Sequence, residues 1–146
     1  MKVLVINGPN LNWLGKRDVK VYGPDTLADI EGRIQKRAKE LGHECIFFQS
    51  NSEGAIIDCI QAHSKDVAAI IINPGAFGAY AYAISDALGD AAKPIAEVHL
   101  SNVFAREPWR HKSVIAPIAR GVVSGFGWRG YVAALEMLVA LASEKR

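Results

Sequence analysis

At 146 residues the chain has room for one hydrophobic core but not for two typical ones. Half of it is apolar, 22% is charged, and the formal charge is only +2, so composition gives no support to a nucleic-acid partner. No apolar run reaches the ~18 residues of a membrane span, and no basic-then-apolar leader precedes the first strand signal, so the expectation is a soluble, cytoplasmic single domain over residues 1–146.

The first strand signal, residues 2–7, runs into Asn7-Gly8-Pro9-Asn10-Leu11-Asn12, and a basic loop follows to Arg17 and Tyr22-Gly23. Residues 26–41 read as a helix: Thr26 and Asp29 form a capping pattern, Leu27, Ile30, Ile34, Ala38 and Leu41 recur at helical spacing, and Gly42 stops it. A strand at 44–49 precedes a helix at 52–64, opened by a serine cap and an acidic first turn. Next come a strand at 67–73, an alanine-rich helix at 79–92 ending before Pro94, a strand at 94–100, a short strand at 121–124 and a last helix at 130–143. Several strands are near-continuous Val/Ile runs, the pattern of strands buried on both faces of a parallel sheet. Cys45 and Cys59 lie fourteen positions apart, with no CxxC and no nearby histidine at ligand spacing, and read as small buried hydrophobes.

Strand–helix alternation with short links predicts an α/β doubly wound sheet, flavodoxin-like, five parallel strands in the order 2-1-3-4-5. Its ligand crevice lies at the carboxyl ends of strands one and three. That edge carries no glycine fingerprint for a dinucleotide, no Ser/Thr-rich phosphate loop for a flavin and no acidic cluster for a phosphoacceptor. Gly121 to Gly130 reads as a turn into the last helix rather than a phosphate cradle. A non-enzymatic binding module on this fold therefore finds little support.

Instead the strand ends offer Asn10, Arg17 and Tyr22; then Asn73-Pro74-Gly75-Ala76-Phe77; then Glu97, His99, Ser101 and Asn102, with Arg106, Glu107 and Arg110 beyond. A phenol is a poor base near neutral pH, but a neighbouring cation favours its phenolate, and Arg17 lies five residues upstream of Tyr22. Glu97 and His99 share one strand face, so the carboxylate can fix the imidazole tautomer for acid work. Arg106 and Arg110 share a face if their segment is helical, and suit an anionic or polyhydroxylated ligand. Ser101 and its backbone suit a carboxylate nest. Each of these has an ordinary structural explanation; their convergence on one edge favours proton chemistry on a small polar molecule. His43, His63 and His111 receive no chemistry.

The ordered strings Asn7 to Asn12, Gly15-Lys16-Arg17 to Tyr22-Gly23, Gln49-Ser50-Asn51-Ser52-Glu53-Gly54, Asn73 to Phe77, Glu97-Val98-His99-Leu100-Ser101-Asn102, Arg106-Glu107-Pro108-Trp109-Arg110-His111 and Gly125-Phe126-Gly127 to Gly130-Tyr131 resemble type II 3-dehydroquinate dehydratase over essentially the whole chain. The resemblance implies a lyase without cofactor or metal, assembled as a homododecamer of four trimers. Its reaction, trans elimination of water from 3-dehydroquinate to 3-dehydroshikimate through an enolate, would serve aromatic biosynthesis on the shikimate pathway or quinate catabolism. It further implies Tyr22 as base with Arg17 keeping it ionised, Asn10 positioning a water at the enolate oxygen, and His99 as acid. Asn73 and the backbone at Leu100 and Ser101 would bind the substrate carboxylate, and Arg110 a ring hydroxyl. Asp86 would come from a neighbouring subunit, and the loop from Leu11 to Gly23 would close as a lid.

Two departures stand out. The family normally reads Thr-His-Thr after the third strand, and Ala79 stands at that histidine's place. This removes one substrate contact and leaves open a paralogue dehydrating a related cyclic hydroxy acid. Asp18-Val19-Lys20-Val21 lacks the usual Glu-Pro, which should loosen the lid.

Overall fold

Five parallel strands form one sheet in the order β2-β1-β3-β4-β5, with β1 Lys2–Asn7, β2 Glu44–Gln49, β3 Ala69–Asn73, β4 Ile95–His99 and β5 Gly121–Ser124. The computed structural model describes residues 1–144. In chain order the helices are α1 (Val19–Tyr22), α2 (Leu27–Glu40), α3 (Glu53–His63), α4 (Tyr82–Ala91) and α5 (Arg129–Glu144). The expected order of five strands is the one found.

The pleat divides the core in two. Val3 and Val5 of β1, Ala69 and Ile71 of β3, and Ala96 and Val98 of β4 face α2 and α5, meeting Ile30, Ile34, Tyr131 and Leu135. Leu4, Ile6, Ile70, Ile72 and Ile95 face α3 and α4, meeting Ile56, Ile60, Ile84 and Leu88. Helices on both faces explain why the strands carry unbroken Val/Ile runs. The two cysteines are free and buried, Cys45 on one face and Cys59 on the other. Burial pushes each thiol up to about 11, so both remain protonated and inert near neutral pH, as expected.

The capping box at Thr26 and Asp29 forms as read, each side chain accepting from the other's backbone N–H. Two readings change. Residues 75–79 form a 3₁₀ turn and α4 begins only at Tyr82, because Tyr80 and Ala81 leave helical geometry in the turn that seats Phe77 and Ala81 in the core. The segment from Leu11 to Gly23 is not an unstructured loop. It opens with a 3₁₀ turn, Leu11–Trp13, tied down by buried Leu11 and Leu14, and closes with the single helical turn α1, capped by the Asp18 side chain. That cap supplies a local constraint where the missing proline predicted slack.

The switch point between β1 and β3 is tight. The Gly8 amide donates to the Asn73 carbonyl at 2.8 Å, and a Cβ on Gly8 would lie 2.4 Å from the Pro74 carbonyl oxygen. Only glycine lets the two turns lie this close. Gly8→Ala should therefore destabilise the fold by about 1–3 kcal/mol through overpacking, read as a melting temperature lower by roughly 2–4 °C for each kcal/mol; an unchanged melting temperature would show that the turns are free to separate.

Candidate active site

The carboxyl ends of β1, β3 and β4 open on one cleft of about 540 Å³. It collects Asn10, Arg17, Tyr22, Asn73, His99, Leu100, Ser101 and Arg110, eight of the nine expected site residues. Asp86 is the ninth; it is exposed on α4 and does not line its own chain's cleft. Four cations line the cleft (Arg17, Arg106, Arg110 and Lys112) against one carboxylate, Glu97. Such a wall favours an anionic ligand.

Tyr22 ends α1, and two guanidiniums converge on its phenol. Arg17 Nη2 donates to the Tyr22 oxygen at 2.7 Å and Arg106 Nη2 at 2.8 Å. The Arg17 carbon also lies 3.8 Å from the ring centroid, so this cation packs on the ring as well. Arg106 was expected to share a face with Arg110 if their segment is helical. It does not, because the segment is two short 3₁₀ turns, Val103–Ala105 and Pro108–His111, with Arg106 extended between them. Proline disfavours helical geometry at the preceding residue, and Glu107 is extended, with ψ 141°. Arg106 instead reaches Tyr22 and Ser101 Oγ (3.2 Å), while Arg110 Nε pairs with Glu107 Oε2 at 2.9 Å and leaves its terminal nitrogens for a ligand. The Arg110 hydrogen bond holds the exposed Glu107 carboxyl below the usual carboxylate range.

Asn10 enters the cleft rim from an unusual backbone. It is left-handed, with φ 68° and ψ −2°, a conformation asparagine tolerates better than most residues. Its amide donates to Asn51 Oδ1 at 3.0 Å, and Gln49 Nε2 bridges Asn51 Oδ1 and the Gly8 carbonyl. The end of β2 thus fixes the turn that presents Asn10. Asn51 and Gln49 belonged to a string noted in the sequence, but nothing in their spacing disclosed this contact.

His99 and Glu97 meet as their shared strand face predicts: His99 Nε2 lies 2.6 Å from Glu97 Oε2. The Glu97 side chain is 2% exposed. Asn73 is oriented from beneath. Its Oδ1 accepts from the Gly75 amide at 3.1 Å, and its Nδ2 donates to the Tyr131 hydroxyl at 2.9 Å, leaving one N–H for the cleft. Tyr131, fully buried on α5, donates in turn to Asn7 Oδ1 at 2.5 Å. Burial drives the Tyr131 phenol strongly upward, so it stays neutral and serves as a donor. His111, given no role from sequence, lines the cleft with Nε2 3.2 Å from the Arg106 carbonyl oxygen. Among the described residues no three His, Cys, Asp or Glu side chains gather as a metal site, and no helix is long and apolar enough to cross a membrane.

Fold and cleft define a flavodoxin-like α/β protein with a cation-lined cleft at its switch point. A family model described as dehydroquinase class II matches residues 1–139. A 3-dehydroquinate dehydratase of Roseiflexus castenholzii is 55% identical over 139 residues, covering 95% of this chain and 88% of that one. One from Caldicellulosiruptor bescii is 55% identical over 138 residues, covering 94% and 95%. The crystal structure of type II dehydroquinase from Butyrivibrio crossotus superposes with a TM-score of 0.92 at 46% identity, over 94% of this chain and 97% of that chain. The chain belongs to the class II dehydroquinase family.

The Tyr131 hydroxyl carries a test of the cleft floor. Tyr131→Phe leaves Asn7 Oδ1 and one Asn73 N–H buried without partners, which should cost about 1–3 kcal/mol, measured as a lower urea midpoint with an unchanged slope.

Proposed function

We propose that this chain is a hydro-lyase that removes water reversibly from 3-dehydroquinate, giving 3-dehydroshikimate by trans elimination through an enolate. The observation that carries the reading is the phenolic oxygen of Tyr22 held by two guanidiniums on the wall of a cation-lined cleft. With both arginines donating to the phenolic oxygen, the phenol's own proton has no acceptor among the described residues. Tyr22 then takes the proton beside the ketone, and the charge moves to the enolate oxygen. Asn10, fixed in its turn by Asn51, positions a water against that oxygen. His99 delivers a proton to the departing hydroxyl, which leaves as water; the tyrosine proton then returns to solvent and His99 takes one up from it, resetting both base and acid.

The free Asn73 N–H and the backbone at Leu100 and Ser101 receive the substrate carboxylate. The terminal nitrogens of Arg110 meet a ring hydroxyl. Asp86, exposed on α4, completes the site of a neighbouring subunit in a trimer, four of which make a dodecamer. The segment from Leu11 to Gly23 closes over bound substrate. The class II dehydroquinase family and relatives named 3-dehydroquinate dehydratase at about half identity support the activity.

The direct test is a rise in ultraviolet absorbance from the conjugated enone when purified protein meets 3-dehydroquinate. Tyr22→Phe should lower kcat at least ~10²-fold, the lower end for a positioned proton-transfer group; retained turnover removes Tyr22 from the base role.

A second reading is favoured by Ala79, which lines the cleft near Lys112, itself bonded through Nζ to the Tyr82 hydroxyl at 2.6 Å. A wall of this chemistry suits a paralogue acting on a related cyclic hydroxy acid. Ala79→His discriminates. A rise in kcat/KM on 3-dehydroquinate of about tenfold or more, matching the ~1–3 kcal/mol of an unpaired polar group regained, favours the paralogue. No change indicates that this wall already serves 3-dehydroquinate.

A further inference from the structure

Ser113 lies past the Pro108–His111 turn, far along the chain from the strand that carries the candidate acid, and no role for it follows from the motifs above. Its hydroxyl is fully committed. The amides of Ile115 and Ala116 donate to Ser113 Oγ at 3.1 and 2.9 Å, which fills both lone pairs. The hydroxyl proton is therefore directed at the remaining neighbour, Glu97 Oε1, at 2.5 Å. The backbone of residues 113–116 thereby sets the direction of a hydrogen bond inside the cleft.

The consequence passes through Glu97. Its Oε1 receives the serine proton, and its Oε2 faces His99 Nε2 at 2.6 Å. No arginine or lysine among the described residues forms an ion pair with it; its ionisable partner is the histidine. The carboxylate thus accepts at both oxygens, from the Ser113 hydroxyl at one and from His99 Nε2 at the other. Without Ser113 the carboxylate would rotate about its last bond and release the ring. With it, the ring plane and tautomer are both defined. His99 Nδ1, which makes no hydrogen bond among the described residues, is left as the atom that meets substrate, and the proton it delivers to the departing hydroxyl is a second one, taken up from solvent at Nδ1 while Nε2 keeps the proton shared with Glu97.

We propose that Ser113 is a positioning residue for His99, orienting the acid through Glu97 in a Ser–Glu–His chain, while having no hydrogen-bonding capacity left for substrate. This rests on the reading of His99 as the proton donor. The alternative is a purely structural serine that caps the turn at residues 113–116.

Two measurements separate these. In steady-state assays on 3-dehydroquinate, Ser113→Ala should lower kcat about tenfold, less than removal of an acid outright, with KM within about twofold. Ser113→Thr, which keeps the hydroxyl, should restore kcat. In ¹⁵N spectra of the imidazoles, wild-type His99 should carry its proton on Nε2, and in Ser113→Ala the proton should be shared between the two ring nitrogens. Wild-type kcat in Ser113→Ala overturns the proposal, as does a tautomer unmoved by the substitution. If Ser113→Ala does not fold, the wild-type spectrum of the neutral ring decides: a proton on Nδ1 with Nε2 bare refutes the chain, and one on Nε2 together with full activity of Ser113→Thr sustains it. If the wild-type protein leaves 3-dehydroquinate untouched, the proposed activity fails, and the spectra still decide the fate of the Ser–Glu–His chain.

Discussion

The rest of the site depends on a buried polar contact where β1 and β3 end. A tyrosine hydroxyl from α5 sits between two asparagines, donating to Asn7 and accepting from Asn73. All three residues are almost wholly removed from solvent. Buried polar groups are costly unless paired, so this contact admits few alternative arrangements. It sets the angle of Asn73, whose amide oxygen accepts from Gly75 and so shapes the Pro74–Gly75 turn. That turn lies against Gly8, and the next residues lead to Asn10. The last helix of the chain thereby governs the geometry of the first and third strand ends.

Above that floor the cleft handles charge by division of labour. Two arginines are spent on one phenol, a third pairs with Glu107, and the buried carboxylate is turned toward His99 rather than toward any of them. Were Glu97 to pair with a guanidinium, the imidazole would lose its acceptor and Tyr22 one of its cations. The spatial separation of these pairs places a phenol among cations and an imidazole against a carboxylate in one site.

Much of this was legible in the sequence. All five strands were located, most plainly β1 and β3, because strands buried on both faces cannot hide their composition. Glu97 and His99 were legible as a pair because alternate strand positions share a face. The contact of Arg106 with Tyr22 was not, since 84 positions separate them and only the folded sheet brings them together. Ser113 was invisible for the same reason. The start of α4 was misread because alanine-rich sequence favours a helix locally, whereas seating Phe77 and Ala81 in the core bends the backbone first. The helical face expected for Arg106 and Arg110 failed against a signal that was present, Pro108.

The segment that delivers Tyr22 has one further consequence. α1 is a single turn of four residues, none of them buried, held by one aspartate cap and by the arginines on the phenol. A turn so short has almost no helical stability of its own. Its backbone amides should exchange with deuterium long before those of the strands. The turn that carries Tyr22 can thus melt locally while the sheet stays intact.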